Sequence, residues 1–171
     1  MDLRNKIRDI PDFPKPGIIF KDVTPLLADA ASLMEAVDRM SKPVAKARPD
    51  LIVAIESRGF IFGAAVATRL GVGMVPVRKP GKLPYRIRRE TYALEYGTDC
   101  LEMHEDALAS GAGVVIVDDV LATGGTAAAT GRLCEQAGAR VLGFSFLIEL
   151  GFLGGRARLG NYPVSAVLCY D

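Results

Sequence analysis

Asp118 and Asp119 stand side by side at the end of an apolar run, Val114-Val115-Ile116-Val117, and are followed by Ala122-Thr123-Gly124-Gly125-Thr126. Adjacent carboxylates are strong acceptors for sugar hydroxyls. A small-residue loop rich in backbone N–H groups and hydroxyls, opening into a helical pattern, suits a phosphate anion. The combination fits a sugar phosphate. The loop contains no lysine and the chain lacks the GxxxxGK pattern, which argues against a nucleoside-triphosphate loop. No GxGxxG follows a predicted strand, so dinucleotide binding has little support. A second chemical segment, Glu56-Ser57-Arg58-Gly59, follows the apolar run Leu51 to Ile55. A third stretch, residues 78–90, crowds Arg78, Lys79, Lys82, Arg86, Arg88 and Arg89 among Pro80, Gly81 and Pro84.

These segments need a frame that brings them together. Apolar runs at 51–55, 74–77 and 114–117 read as buried strands, with a long strand at 140–150 and a final one at 164–170. Helical patterns are predicted over about 30–47, 60–70 and 126–137, with Gly71 and Gly138 as stops. Pro43 suggests a kink or an earlier end to the first of these. Leu3, Ile7 and Ile10 recur at three- to four-residue steps and predict a short N-terminal amphipathic helix. Residues 78–90 read as a basic loop. Residues 91–96 and 100–104 read as a hairpin carrying that loop, with a turn at Gly97.

Strands alternating with helices imply an α/β fold with a mostly parallel central sheet flanked by helices. The chain reads as one domain, 1–171, with an N-terminal hood over about 1–30 and a flexible hairpin over about 78–104. In such sheets ligands gather beyond the carboxyl ends of the strands. The loops after Ile55, after Val117 and after Glu149 all lie at such ends, and Arg58 gains a functional reading from that position.

Bulk properties narrow the classes. The chain has 171 residues and a net charge of +1, so nothing global favours nucleic acid or an anionic membrane. No apolar run is long enough to span a bilayer, and the N-terminus lacks a signal-peptide core. Cys100, Cys134 and Cys169 show no CxxC spacing, which argues against a disulfide framework or a zinc site. His104 is the sole histidine and reads as a surface residue of the hairpin. The expected location is the cytoplasm.

The segment 114–126 resembles the phosphoribosyl pyrophosphate (PRPP) motif of the type I phosphoribosyltransferases. Phe13-Pro14-Lys15-Pro16-Gly17-Ile18-Ile19-Phe20-Lys21-Asp22, Glu56-Ser57-Arg58-Gly59-Phe60, Val77 to Pro84 and Leu94-Glu95-Tyr96-Gly97 resemble, in order, segments of the adenine-specific branch. The resemblance spans nearly the whole chain. It implies transfer of the 5-phosphoribosyl group of PRPP to adenine, giving AMP and pyrophosphate, with magnesium. It implies that Asp118 and Asp119 face the ribose hydroxyls and share a substrate-bound magnesium. Ala122, Thr123, Gly124, Gly125 and Thr126 would hold the 5-phosphate. Arg58, Arg78 and Lys82 would meet pyrophosphate, and Glu95 would manage the proton lost from the base. The main chains of Ile19 and Lys21 would read adenine, with Phe20 and Leu150 on its faces. Lys21 stands where the family commonly has arginine. The resemblance also implies a cis peptide at Glu56-Ser57, a lid over the site and a homodimer.

Two other readings remain open at this stage. A hypoxanthine, guanine or xanthine phosphoribosyltransferase would share the PRPP half and differ at the base. A non-catalytic PRPP-sensing regulator would share the fold, but it would normally need an added nucleic-acid-binding module or a basic face, and this chain is nearly neutral with no room for a winged-helix domain.

Overall fold

The computed structural model describes all 171 residues. The chain opens with a single 3-10 turn, Leu3–Lys6, capped by the Asp2 carboxylate, which accepts from the Arg4 amide at 3.0 Å. Strand β1 (Arg8–Pro11) then pairs antiparallel with β2 (Ile19–Asp22). The expected N-terminal helix is therefore one turn followed by a strand. Pro11 bars Ile10 from helical backbone, and the pairing with β2 takes over. Leu3 is buried and Ile7 packs beside it, so both still serve the core.

The short helix α1 (Thr24–Ala28) leads into α2 (Ala30–Ala47), whose N-terminus is capped by Asp29 accepting from the Ser32 amide at 2.8 Å. α2 continues through Pro43 to its full predicted length because Ala36, Met40 and Val44 are buried on either side of that residue. After it come β3 (Leu51–Ile55), α3 (Arg58–Leu70) and β4 (Gly73–Val77). The hairpin strands are β5 (Ile87–Ala93) and β6 (Thr98–His104). The remaining elements are β7 (Gly113–Leu121), α4 (Gly125–Gln136), β8 (Arg140–Leu150) and β9 (Val164–Tyr170). Two 3-10 turns, Gly151–Leu153 and Gly155–Leu159, link the last two strands.

The central sheet has five strands in the order β4-β3-β7-β8-β9, all parallel. α3 carries the chain from β3 outward to β4, and α4 carries it from β7 the opposite way to β8. The direction of winding reverses between β3 and β7, which opens a crevice at their carboxyl ends. Alternate strand residues face opposite layers. Ile52, Val115, Val117 and Ile148 pack with Phe62 and Val66 of α3 and Met40 of α2. Val53, Ile116, Phe144 and Phe146 pack with Leu133 of α4 and with Tyr92, Leu101 and Met103 of the hairpin. No helix is long and apolar enough to cross a membrane.

Two expectations shift. β7 extends beyond Val117, because pairing with β8 continues through Asp118↔Phe146 and Val120↔Ile148. Asp118 and Asp119 thus belong to a strand end and not to a loop. The basic stretch is a loop only to Arg86, since Ile87, Arg88 and Arg89 lie in β5.

Phe62 is fully buried in the layer between α3 and the sheet. Phe62→Ala should lower unfolding free energy by about 3–5 kcal/mol, measured by urea titration. A loss below about 1 kcal/mol would mean that this layer does not hold α3 in place.

Candidate active site

The crevice at the switch point is a cavity of about 460 Å³. Its floor is formed by Asp118, Asp119 and Val120 of β7, and α3 contributes Arg58 at its first turn. Arg58 Nε donates to Asp119 Oδ2 and forms an ion pair there. The guanidinium carbon also lies 5.2 Å from the centre of the Phe20 ring, a cation–π contact that ties the hood to the sheet. Asp118 has no such cation in contact. Burial first, and then the Asp119 charge beside it, hold its carboxyl well above the usual carboxylate range. Two adjacent carboxylates and one guanidinium leave a site that favours a further positive charge.

Close packing fixes this geometry. A Cβ on Gly59 would stand 2.5 Å from Asp118 Oδ1, so only glycine lets α3 begin against β7. The loop after β7 is held in the same way. Gly124 has φ +84°, which favours glycine, and a Cβ there would meet Gly155 O at 2.3 Å. A Cβ on Gly155 would meet Ala122 O at 2.1 Å. The loop Ala122–Thr126 is thereby braced by the turn after β8. It lines a small concavity of about 90 Å³ at the N-terminus of α4, next to the main cavity, and Thr126 borders both.

The hood supplies the opposite wall with Ile18, Ile19, Phe20 and Lys21, and Leu150 comes from the end of β8. Pro11 pairs with Ile19 and has no N–H, which suits a pair without mutual hydrogen bonds. Ile18 O, one residue earlier, accepts from the Phe13 amide. By the alternation of an antiparallel ladder, the N–H and C=O groups of Ile19 and Lys21 point away from β1. Phe20 is held edge-on by Phe13 at 5.3 Å. The Lys21 ammonium reaches Asp9 at 2.7 Å and lies 4.1 Å from the centre of the Tyr170 ring. Its side chain is engaged elsewhere, leaving the main chain toward the cavity.

Arg78 and Lys82 do not line the cavity. Both converge on Glu56, whose side chain is buried: Lys82 Nζ donates to Oε2 at 2.8 Å, the Lys79 amide donates to Oε1 at 2.5 Å, and Arg78 Nε lies 3.5 Å away. Burial alone would raise the Glu56 carboxyl, but the Lys82 and Lys79 hydrogen bonds and the nearby cations leave it below the usual range. Glu95 sits in the turn between β5 and β6, not within a strand, and is away from the cavity. The Glu56-Ser57 peptide is cis. His104 is partly buried, and its Nε2 accepts from the Tyr85 amide at 3.4 Å.

Sequence reasoning passed over Glu56, which organises the basic loop, and Gly155, which braces the phosphate-sized concavity. Glu56 had a local signal, a carboxylate at the carboxyl end of a buried strand. Gly155 had none, because its partners are more than thirty residues away. Gly155→Ala should push the Ala122–Thr126 loop out of position and cost about 1–3 kcal/mol by overpacking. Thermal melts and phosphate-ester binding should both weaken; retention of both at the level of the parent chain would show that the brace is dispensable.

The comparisons with known proteins agree with this geometry. A family model described as a phosphoribosyl transferase domain matches residues 20–157. Adenine phosphoribosyltransferase of Desulfitobacterium hafniense is 57% identical over 170 residues, covering 99% of this chain and 98% of that protein. That of Thermotoga neapolitana is 56% identical, covering 99% and 100%. The crystal structure of the Rhodothermus marinus enzyme superposes with a TM-score of 0.94 at 53% identity, covering 98% of this chain and 96% of that one. The Saccharomyces cerevisiae enzyme, crystallised with adenine and an imino-altritol bisphosphate, gives 0.93 at 43% identity, covering 98% and 97%. The strand-end carboxylates, the glycine-braced loop and the hood across the switch point are thus built on a type I phosphoribosyltransferase fold, and the chain belongs to the adenine phosphoribosyltransferase family.

Proposed function

We propose that the chain transfers the 5-phosphoribosyl group of PRPP to adenine, giving AMP and pyrophosphate, and so salvages a free purine. The observation that carries this reading is the convergence of three surfaces on one crevice: the Asp118-Asp119 pair, the Ala122–Thr126 loop and the free edge of β2. A ribose, its 5-phosphate and a flat base need these three surfaces as neighbours.

Each surface has a role in that chemistry. Asp118 and Asp119 accept from the ribose hydroxyls and stabilise positive charge building on the ring as the bond at C1 breaks. The Ala122, Thr123, Gly124, Gly125 and Thr126 main chain, with its two hydroxyls, holds the 5-phosphate at the start of α4. Adenine offers an acceptor at N1 and a donor at its 6-amino group, which main-chain N–H and C=O groups of Ile19 and Lys21 complement. Phe20 and Leu150 give the ring its apolar faces. Pyrophosphate leaves toward Arg58, with Arg78 and Lys82 transferring from Glu56 to the departing anion. Glu95 takes the proton lost from the base when the hairpin turn folds over the crevice. Closure also keeps water from an oxocarbenium-like centre.

Magnesium accompanies PRPP in this reading. Asp118 and Asp119 offer hard oxygen donors, and Arg58 offsets only one of their charges, so the donor set fits a cation shared with substrate oxygens. No group of three or more His, Cys, Asp or Glu side chains stands ready to hold a metal alone. Bound there, magnesium would neutralise part of the diphosphate charge. The reading extends to the cytoplasm, supported by three free thiols.

Purified protein supplied with PRPP, magnesium and adenine should form AMP and release pyrophosphate. EDTA should stop the reaction, and hypoxanthine should react roughly a hundredfold more slowly or worse, because a 6-oxo base presents an acceptor where adenine presents a donor. Absence of adenine-dependent pyrophosphate release would sink the reading.

The chain acts as a homodimer in this proposal. An apolar groove of about 470 Å³ lies between α2 and α3, lined by Leu33, Met34, Val37 and Ala64, and Met34 is 69% exposed. A second copy would cover it. Sedimentation should return about twice the 18.3 kDa chain mass; a monomer at micromolar concentration would overturn this part.

A further inference from the structure

Tyr92 is 6% exposed, yet its hydroxyl is not idle. It lies 3.1 Å from Thr126 Oγ1, at the edge of the phosphate-sized concavity, and 3.2 Å from Asp99 Oδ2. Asp99 Oδ2 also accepts from Lys79 Nζ, and Asp99 Oδ1 accepts from the Cys100 amide at 2.8 Å. Lys79 lines the main cavity. The chain Lys79–Asp99–Tyr92–Thr126 therefore runs behind the crevice from its basic side to its phosphate-loop side. It crosses four separate elements: the basic loop, β6, β5 and the start of α4.

The donors and acceptors along this chain dictate how it responds to an anion. A phenol has one proton and a carboxylate has none to give. While Tyr92 donates to Asp99, Thr126 must donate to Tyr92, and its proton is spent. A phosphate in the concavity only accepts, so it draws the Thr126 proton to itself. Tyr92 can then donate to Thr126 while Asp99 keeps Lys79 and the Cys100 amide. The sequence Tyr92 to Thr126 to phosphate becomes a continuous donor chain in which each bond polarises the next.

The remaining contacts keep the phenol at its post. The Tyr92 ring lies 3.5 Å from where a Cβ on Gly125 would stand, packed against the first residue of α4. One turn and more further along that helix, Arg132 and Gln136 bond both oxygens of Glu90 in β5 at 2.6 and 2.7 Å. β5 is thus pinned to α4, and Tyr92 cannot drift from Thr126 without breaking those bonds.

We propose that Tyr92 is a positioning residue for the 5-phosphate, holding the Thr126 hydroxyl in place and polarising it by donating to it when the phosphate takes the Thr126 proton. This rests on the phosphoribosyl-transfer reading above and deepens it.

The test is steady-state kinetics on the full-length protein with Tyr92→Phe, Thr126→Val and the double variant, with Tyr162→Phe as control. Tyr162 also places its hydroxyl on α4, at Glu135, but outside the crevice. Tyr92→Phe should raise KM for PRPP roughly five- to tenfold, about one hydrogen bond's worth. KM for adenine and the melting temperature should stay near the parent values. Added to Thr126→Val, it should change nothing further, because the two act as one unit. An unchanged KM for PRPP, additive effects in the double variant, or equal rises in both KM values would overturn the proposal. Should Tyr92→Phe fail to fold, Tyr92→Leu takes its place, since it keeps an apolar side chain in the core and removes the same hydroxyl. A selective rise for PRPP is again expected, and a parallel rise for adenine would count against it. Failure of the parent protein to make AMP at all would instead remove the transfer reading itself.

Discussion

Asp118 and Asp119 bring two negative charges to adjacent residues at the end of a buried strand, and Arg58 meets only one of them. The rest of the crevice depends on this imbalance. Arg58 reaches Asp119 because α3 starts within a glycine's width of β7, at Gly59. That approach in turn requires β3 and β7 to be neighbours whose carboxyl ends lie on one edge of the sheet. A parallel sheet satisfies this automatically. Burial beside the Asp119 charge raises the Asp118 carboxyl above its usual range, and Arg58 offsets only part of that.

The two sides of the sheet are stabilised in different ways. On the α2 and α3 side the contacts are aliphatic and aromatic, with Phe62, Met40 and Ile52 wholly enclosed. On the other side the hairpin takes part in the core through Tyr92, Leu101 and Met103, while polar pairs tie it to its surroundings. Arg89 grips the buried Glu102 at 2.5 Å, and the Arg78 and Glu102 main chains bond each other. The base of the hairpin is therefore part of the scaffold, and only the turn from Leu94 to Gly97 stands clear of it. The division leaves the hairpin anchored at its base and exposed at its tip.

Local features were legible in the sequence and distant partnerships were not. The Asp-Asp pair and the loop after it could be read because strand, carboxylates, glycines and helix follow within thirteen residues. The parallel sheet followed from alternating runs. The N-terminal segment misled because Leu3, Ile7 and Ile10 fit a helical period as well as a turn followed by a strand, and only the pairing with β2 decides between them. The extension of β7 through Leu121 could not be read either, since polar residues remain in a strand only when β8 continues alongside. Pro43 read as a break, whereas packing on both sides carries the helix across it. The Glu56 contact with the basic loop, the Tyr92 contact with Thr126 and the Gly155 brace all join residues twenty or more apart, and no spacing rule pairs residues at that distance.

The free edge of β2 has a consequence for heredity. If the main chain of β2 reads the base as proposed, that surface is nearly blind to point substitution, and residues 19 and 21 can change while their N–H and C=O groups stay in place. The same surface is exposed to insertions and deletions. Losing one residue between Pro11 and Ile19 would slip the ladder by one and turn those groups inward toward β1. Lineages of this chain should therefore diverge in the side chains of residues 19 and 21 while keeping Phe20 and the ribbon's length.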